Sequence, residues 1–197
     1  MKMKIIFLDF DGVITIPPKW SFNDNNIKWI KKIVDETGAK IVVSSSYRSG
    51  TPPNVQDTIK KTFIRAKSPN KMIQWLIDNI YDVTPYHIDD KYLEFNNRGA
   101  EIQTWLDNHN DIESYVIIDD DSDMLDSQLY HFVQTNYEYG IGEHEAQNAI
   151  KILNGEYIFN TIGLNFVLRN EWRNKCKYFP NKYDTLEKYN DVKKTLL

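Results

Sequence analysis

Three short apolar runs constrain this chain more than any other feature: Ile5-Ile6-Phe7-Leu8, Ile41-Val42-Val43 and Tyr115-Val116-Ile117-Ile118. None alternates apolar with polar residues, and a strand that does not alternate is one covered on both faces. Such strands belong to parallel sheets flanked by helices. Helical spacing recurs between and after them: Ile27, Ile30 and Val34 within 24–37, with Gly38 past the end; Val55, Ile59 and Phe63; and Met72, Trp75, Leu76 and Ile80 after Ser68-Pro69. It returns at Ile102, Trp105 and Leu106 within 99–108, read as a surface helix, and at Ala146, Ala149, Ile150 and Leu153 within 143–153. His131–Gln134 is expected as a fourth, short strand, and the stretch after Asp11 as a hairpin region. Segment 81–97 has weak periodicity. The pattern predicts an α/β fold: a doubly wound, Rossmann-like parallel sheet with helices on both faces.

Each run ends on polar residues. Asp9 and Asp11 follow the first, Ser44, Ser45 and Ser46 the second, and Asp119 and Asp120 the third. In an open parallel sheet the carboxyl ends of the strands form one edge, where ligands bind, so these groups are expected to converge. Crowded carboxylates repel one another, and a divalent cation with oxygen ligands relieves that repulsion. Mg²⁺ is the natural choice, since it takes few protein carboxylates and keeps positions for water and phosphate. Hydroxyls and exposed amides beside it suit a phosphoryl group.

Charge supports a local origin for the acidity. The 197 residues carry a net charge of -4, but residues 1–155 hold 16 Lys/Arg against 23 Asp/Glu, and residues 156–197 hold 8 against 5. An acidic chain lacks the concentrated cationic face of a general nucleic-acid binder. We therefore read a domain over 1–155 and a basic, aromatic extension over 156–197, which contains Trp172, Tyr178, Phe179 and Tyr183. A docking extension is preferred there to a strap that stacks on a nucleotide. His87, His109, His131 and His144 lack metal-ligand spacing, and Trp29, Trp75 and Trp105 have core spacing. Cys176 stands alone, so no internal disulfide is expected. No apolar run nears the ~18–20 residues of a membrane span. The first run is broken by Asp9 and Asp11 and lacks a small-residue cleavage site. The expectation is a cytoplasmic protein without a membrane partner, with a homo-oligomer left open.

Asp9-Phe10-Asp11-Gly12-Val13, then Ser44, a cation, and Ile118-Asp119-Asp120 resemble the four ordered motifs of the haloacid-dehalogenase-like (HAD) phosphohydrolases, over about residues 4–154. The resemblance implies roles. Asp9 would be the nucleophile that forms an aspartyl-phosphate. Asp11 would be the general acid and base, with its backbone carbonyl on the metal. Ser44, with Ser45 nearby, would bind the phosphoryl oxygens, and Asp120 with Asp119 would hold Mg²⁺ alongside Asp9. Asp11 favours a phosphate ester over a carbon–halogen bond, because dehalogenase branches lack that second acid. The third motif usually supplies lysine. Here Arg98 is best placed and Lys67 and Lys91 compete. The acid expected a few residues after the Asp pair is displaced, with Asp123 three and Asp126 six residues beyond Asp120, where an acid can equally serve a helix start.

The strings VVSSSYR, RGAEIQTWL, VIIDDDSDM and YGIGEHEAQNAIKIL are similar to small bacterial and phage HAD domains, some fused to RNA-repair enzymes. That branch implies a nucleotide or polynucleotide-end phosphatase and places Arg48 near the phosphate or substrate. The partner is then a phosphorylated small molecule or a nucleic-acid end. Ser44 follows Asp11 by 33 residues and Arg98 follows Ser44 by 54, so neither gap holds a large cap domain, and an open site is expected. Two other classes share parts of this pattern. Phospho-acceptor receiver domains carry the acid pair on the first strand and the phosphorylated Asp alone on the third, the reverse of this order. A HAD scaffold that sequesters a phosphorylated nucleotide without turnover is the alternative, and the presence of both Asp9 and Asp11 speaks against it.

Overall fold

In the computed structural model, which describes residues 2–48, 71–86, 90–92 and 97–156, the first apolar run forms strand β1 (Met3–Leu8). It lies at the centre of a five-stranded sheet. A short hairpin of two-residue strands, β2 (Thr15–Ile16) and β3 (Ser21–Phe22), follows its carboxyl end. Helix α1 (Asp24–Thr37) then leads to β4 (Lys40–Val43), and α2 (Lys71–Asn79) to β5 (Ile80–Val83). Helix α3 (Arg98–Asp107), β6 (Ile112–Asp119), β7 (Phe132–Gln134) and α4 (Glu143–Leu153) complete the order.

The strands lie in the order β5-β4-β1-β6-β7, and every neighbouring pair in that sheet is parallel. The chain moves outward from β1 through β4 to β5, then returns to the other side of β1 for β6 and β7. That reversal makes the carboxyl end of β1 the switch point, where an open α/β sheet has its crevice.

Side-chain alternation along the strands divides the core in two. Ile6, Leu8, Ile41, Val43, Val116 and Ile118 face α1, α2 and α4. Ile5, Phe7, Val42 and Ile117 face α3 through Ile102 and Trp105. Each fully buried side chain of this size contributes about 1.5–3 kcal/mol. The expected surface helix over 99–108 is thus a buried one, and its Trp105 ring packs edge-on against Phe7 at 5.3 Å. Helix α1 starts where Asn23 accepts from the Asn25 N–H and stops at Gly38, whose N–H donates to Val34. Ile80, expected on the face of α2, instead opens β5 and pairs with Ile41. The expected helix through Val55, Ile59 and Phe63, and the extension 156–197 beyond Glu156, lie outside the described residues. No described helix is long and apolar enough to cross a membrane.

Candidate active site

Strand register sets the first row of the site. Leu8 is aligned with Val43 on one side and Ile118 on the other, so the next residue of each strand, Asp9, Ser44 and Asp119, falls in one layer. The backbone continues the ladder there: Asp9 N–H donates to Ile118 at 3.0 Å and Ser44 N–H to Leu8 at 3.0 Å. Asp9, Asp119 and Asp120 each bring one carboxylate oxygen within 4.8 Å of the others. Asp9 and Asp119 are buried, at 6% and 2% exposure, and Asp120 is half-buried.

Gly12 permits that convergence. Its φ is +67°, and a Cβ at this position would stand 2.4 Å from the Asp120 carboxyl carbon. A side chain here would displace the third carboxylate as well as strain the backbone.

Arg98, the first residue of α3, answers the negative charge. Its Nη2 is 3.5 Å from Asp9 Oδ1 and its Nε 3.7 Å from Asp119 Oδ2. Asp123 holds the start of that helix, accepting from the Arg98 backbone N–H at 3.1 Å. Of the competing cations, Lys91 pairs with Asp107 at 2.6 Å, and Lys67 lies outside the described residues. Asp126 begins a 3₁₀ turn (Asp126–His131) and is not in the carboxylate cluster.

One guanidinium does not neutralise three acids. Burial raises the Asp9 pKa from 3.8 to about 6, against the opposing charge of Arg98 and a hydrogen bond from Ser45. Burial and the charge of Asp9 push Asp119 well above the ordinary value. Burial also raises Asp120. Asp119 Oδ2, Ser44 Oγ and Arg98 Nη1 are buried without a hydrogen-bond partner among the described residues. Orphaned buried groups cost about 1–3 kcal/mol each, so this is a site built for something else to complete. The carboxylate oxygens fit a hard divalent cation, and the unmatched hydroxyl and guanidinium N–H fit the oxygens of an anion.

Asp11 stands apart from the three-acid cluster. Its Oδ1 accepts from the Thr15 hydroxyl, and its carboxylate is hydrogen-bonded to the Tyr47 hydroxyl, whose pKa rises through burial first and the charge of Asp11 next. The Tyr47 ring packs against Phe10 at 5.6 Å. The Asp11 carboxylate is thus held by two hydroxyls.

Arg48 is buried under the serine turn. Its Nη1 donates to the carbonyls of Ser44 at 2.5 Å and Ser45 at 2.8 Å, its Nε to Thr84 at 3.0 Å, and its Nη2 meets Glu101 at 2.6 Å. These donors hold the backbone that presents the hydroxyls.

A family model described as the HAD domain in Swiss Army Knife RNA repair proteins matches residues 5–146. The chain belongs to this family. No curated protein and no solved structure gives a significant match. The span matched as a HAD domain runs from β1 into α4 and contains all the residues of the site above. Within this HAD domain, the sequence assigns no role to Thr15 or Glu101 and carries Tyr47 only inside the string VVSSSYR. The signal for Thr15 was its spacing of four residues from Asp11, which a tight hairpin turns into contact. Glu101 gives no comparable signal, because its partner Arg48 is 53 residues away.

Proposed function

We propose that this chain is a phosphohydrolase dependent on Mg²⁺, acting through an aspartyl-phosphate on Asp9. The substrate is the phosphate of a nucleotide or a polynucleotide end. The observation that carries the reading is the cluster of buried Asp9 and Asp119 with half-buried Asp120, with Arg98 beside two of its members. The family's description, a domain of RNA repair proteins, supports a polynucleotide phosphate.

The chemistry follows from placement. A carboxylate oxygen of Asp9 attacks phosphorus and the bond from phosphorus to the leaving oxygen breaks, with Asp11 giving that oxygen its proton. Water then attacks the aspartyl-phosphate and gives a proton to Asp11, and the bond between phosphorus and Asp9 breaks to release inorganic phosphate. Splitting one displacement into two lowers each barrier. Ser44 Oγ and Arg98 Nη1 donate to the phosphoryl oxygens, where charge must be held in the transition state. Asp9, Asp119 and Asp120, with the Asp11 carbonyl, would hold Mg²⁺, which would supply neutralisation of the charge on the phosphoryl group.

The test is a hydrolysis screen of the whole chain in Mg²⁺ against mononucleotides, 3′- and 5′-phosphorylated oligonucleotides and sugar phosphates. Release of inorganic phosphate from a nucleotide or oligonucleotide, lost in chelator, is expected. Recovery of every ester unchanged contradicts the reading.

A further inference from the structure

Two exposed aromatic rings stand together on segments that lead away from the site. Trp20 is 41% exposed and Tyr137 50% exposed, with their centroids 5.3 Å apart and their planes at 66°. They come from distant segments, each tied by hydrogen bonds to the loops that carry the site's aspartates. Trp20 closes the β2–β3 hairpin, its N–H donating to Ile16 at 3.1 Å. Thr15 begins that hairpin and holds Asp11. Tyr137 follows Thr135, whose N–H donates to the carbonyl of Asp119 at 3.0 Å and whose hydroxyl donates to that of Gly12 at 2.7 Å.

The backbone under both rings is constrained. Trp20 has φ +46°, the left-handed region that a bulky residue rarely adopts and that persists where surroundings or function demand it. The turn bearing Tyr137 closes at Gly140, where φ is +67° and a Cβ would stand 2.4 Å from the Val13 carbonyl oxygen. Asn26 holds the same segment, donating to the carbonyls of Tyr139 at 2.9 Å and Ile141 at 2.8 Å. Lys19, exposed beside Trp20, adds a positive charge.

We propose that Trp20 and Tyr137 form a stacking platform for a nucleobase of the substrate. The proposal rests on the phosphohydrolase reading for where the phosphate sits. An aromatic ring accepts any base, since every base has a π-face, and a neighbouring lysine suits the sugar–phosphate backbone. The platform therefore selects a base-bearing ester over a bare sugar phosphate, without choosing among bases.

The test compares kcat/KM for a nucleoside 3′-monophosphate, a 3′-phosphorylated tetranucleotide and ribose 5-phosphate, in the full chain and in Trp20→Ala, Tyr137→Ala and Trp20→Phe. The ratio of base-bearing to base-free activity is expected to fall about ten-fold in each alanine variant, mainly through KM, and to hold in Trp20→Phe. A fall confined to the tetranucleotide places the stacked base further along a strand, and a fall for both places it next to the phosphate. An unchanged ratio for both overturns the platform. Should the parent chain hydrolyse none of the three, the phosphatase reading fails, and fluorescence anisotropy of a labelled tetranucleotide decides the platform by itself. Binding about ten-fold weaker in the alanine variants supports it, and equal binding overturns it.

Discussion

Arg98 sits against Asp9 from the start of α3, with Nη2 3.5 Å from Oδ1, and the same guanidinium reaches Asp119 at 3.7 Å. A planar, permanently charged group thus spans two buried acids, where a lysine would present a single point of charge. Replacing Arg98 with Ala should lower kcat/KM by about 10²–10³-fold, the loss typical of one preorganised transition-state donor. Arg98→Lys should recover part of that loss, as read by steady-state hydrolysis of an aryl phosphate.

Asp9→Asn should abolish turnover and yet make the metal-free protein more stable. Burial holds the folded Asp9 pKa at about 6, above its ordinary 3.8. The folded state therefore binds this proton more tightly than the unfolded chain, and the ionised carboxylate costs stability above pH 6. The gain in the variant is expected to be about 1–3 kcal/mol at pH 8, to shrink as pH falls from about 6 toward 3.8, and to be measured by denaturant unfolding in chelator.

Gly12→Ala should disable the site through Asp120. The left-handed φ alone costs about 1–2 kcal/mol for a residue with a Cβ, and the added methyl overlaps the Asp120 carboxyl. Mg²⁺ is expected to raise the melting temperature of the parent chain by ligand linkage and to raise that of the variant much less.

Arg48 and Glu101 meet at 2.6 Å with little solvent access, and Arg48 also holds the Ser44 and Ser45 carbonyls. Removing one member of a buried ion pair costs about 3–5 kcal/mol, so Arg48→Met should lower the urea midpoint strongly. Glu101→Gln keeps an acceptor and should retain more stability than Arg48→Met while raising KM for phosphate esters.

His131 should make the fold acid-sensitive. Its ring stacks on Tyr115 at 4.0 Å, and burial lowers its pKa below 6.5 against a hydrogen bond with the Tyr115 carbonyl. The unfolded chain takes up this proton first, so its contribution is intact above about pH 6.5 and is lost as pH falls through the folded value. His131→Gln should flatten the pH dependence of stability in that window, compared with the parent by thermal melts.

Strands β1, β4 and β6 were legible because burial on both faces leaves an unbroken apolar run. β5 was not, since on this edge strand only Ile80 is fully buried, while Tyr81 is exposed and Asp82 accepts from the Trp105 indole at 2.7 Å. Helix α3 read as a surface element because its sparse apolar residues resemble an exposed face. It is the described helix that covers the second side of the sheet, so Trp105 and Ile102 are buried. The convergence of Asp9, Ser44 and Asp119 followed from strand ends alone. The hold of Arg48 on the serine turn, and of Tyr47 on Asp11, depends on turn geometry that spacing does not encode.

Mass spectrometry of enzyme quenched in acid during turnover of an aryl phosphate in Mg²⁺ addresses the nucleophile directly. The account predicts a phosphoryl group on the peptide carrying Asp9, labile to hydroxylamine and absent from Asp9→Asn, which also shows no turnover. Undiminished turnover in Asp9→Asn, or a phosphoryl group on another residue in the parent chain, would contradict it.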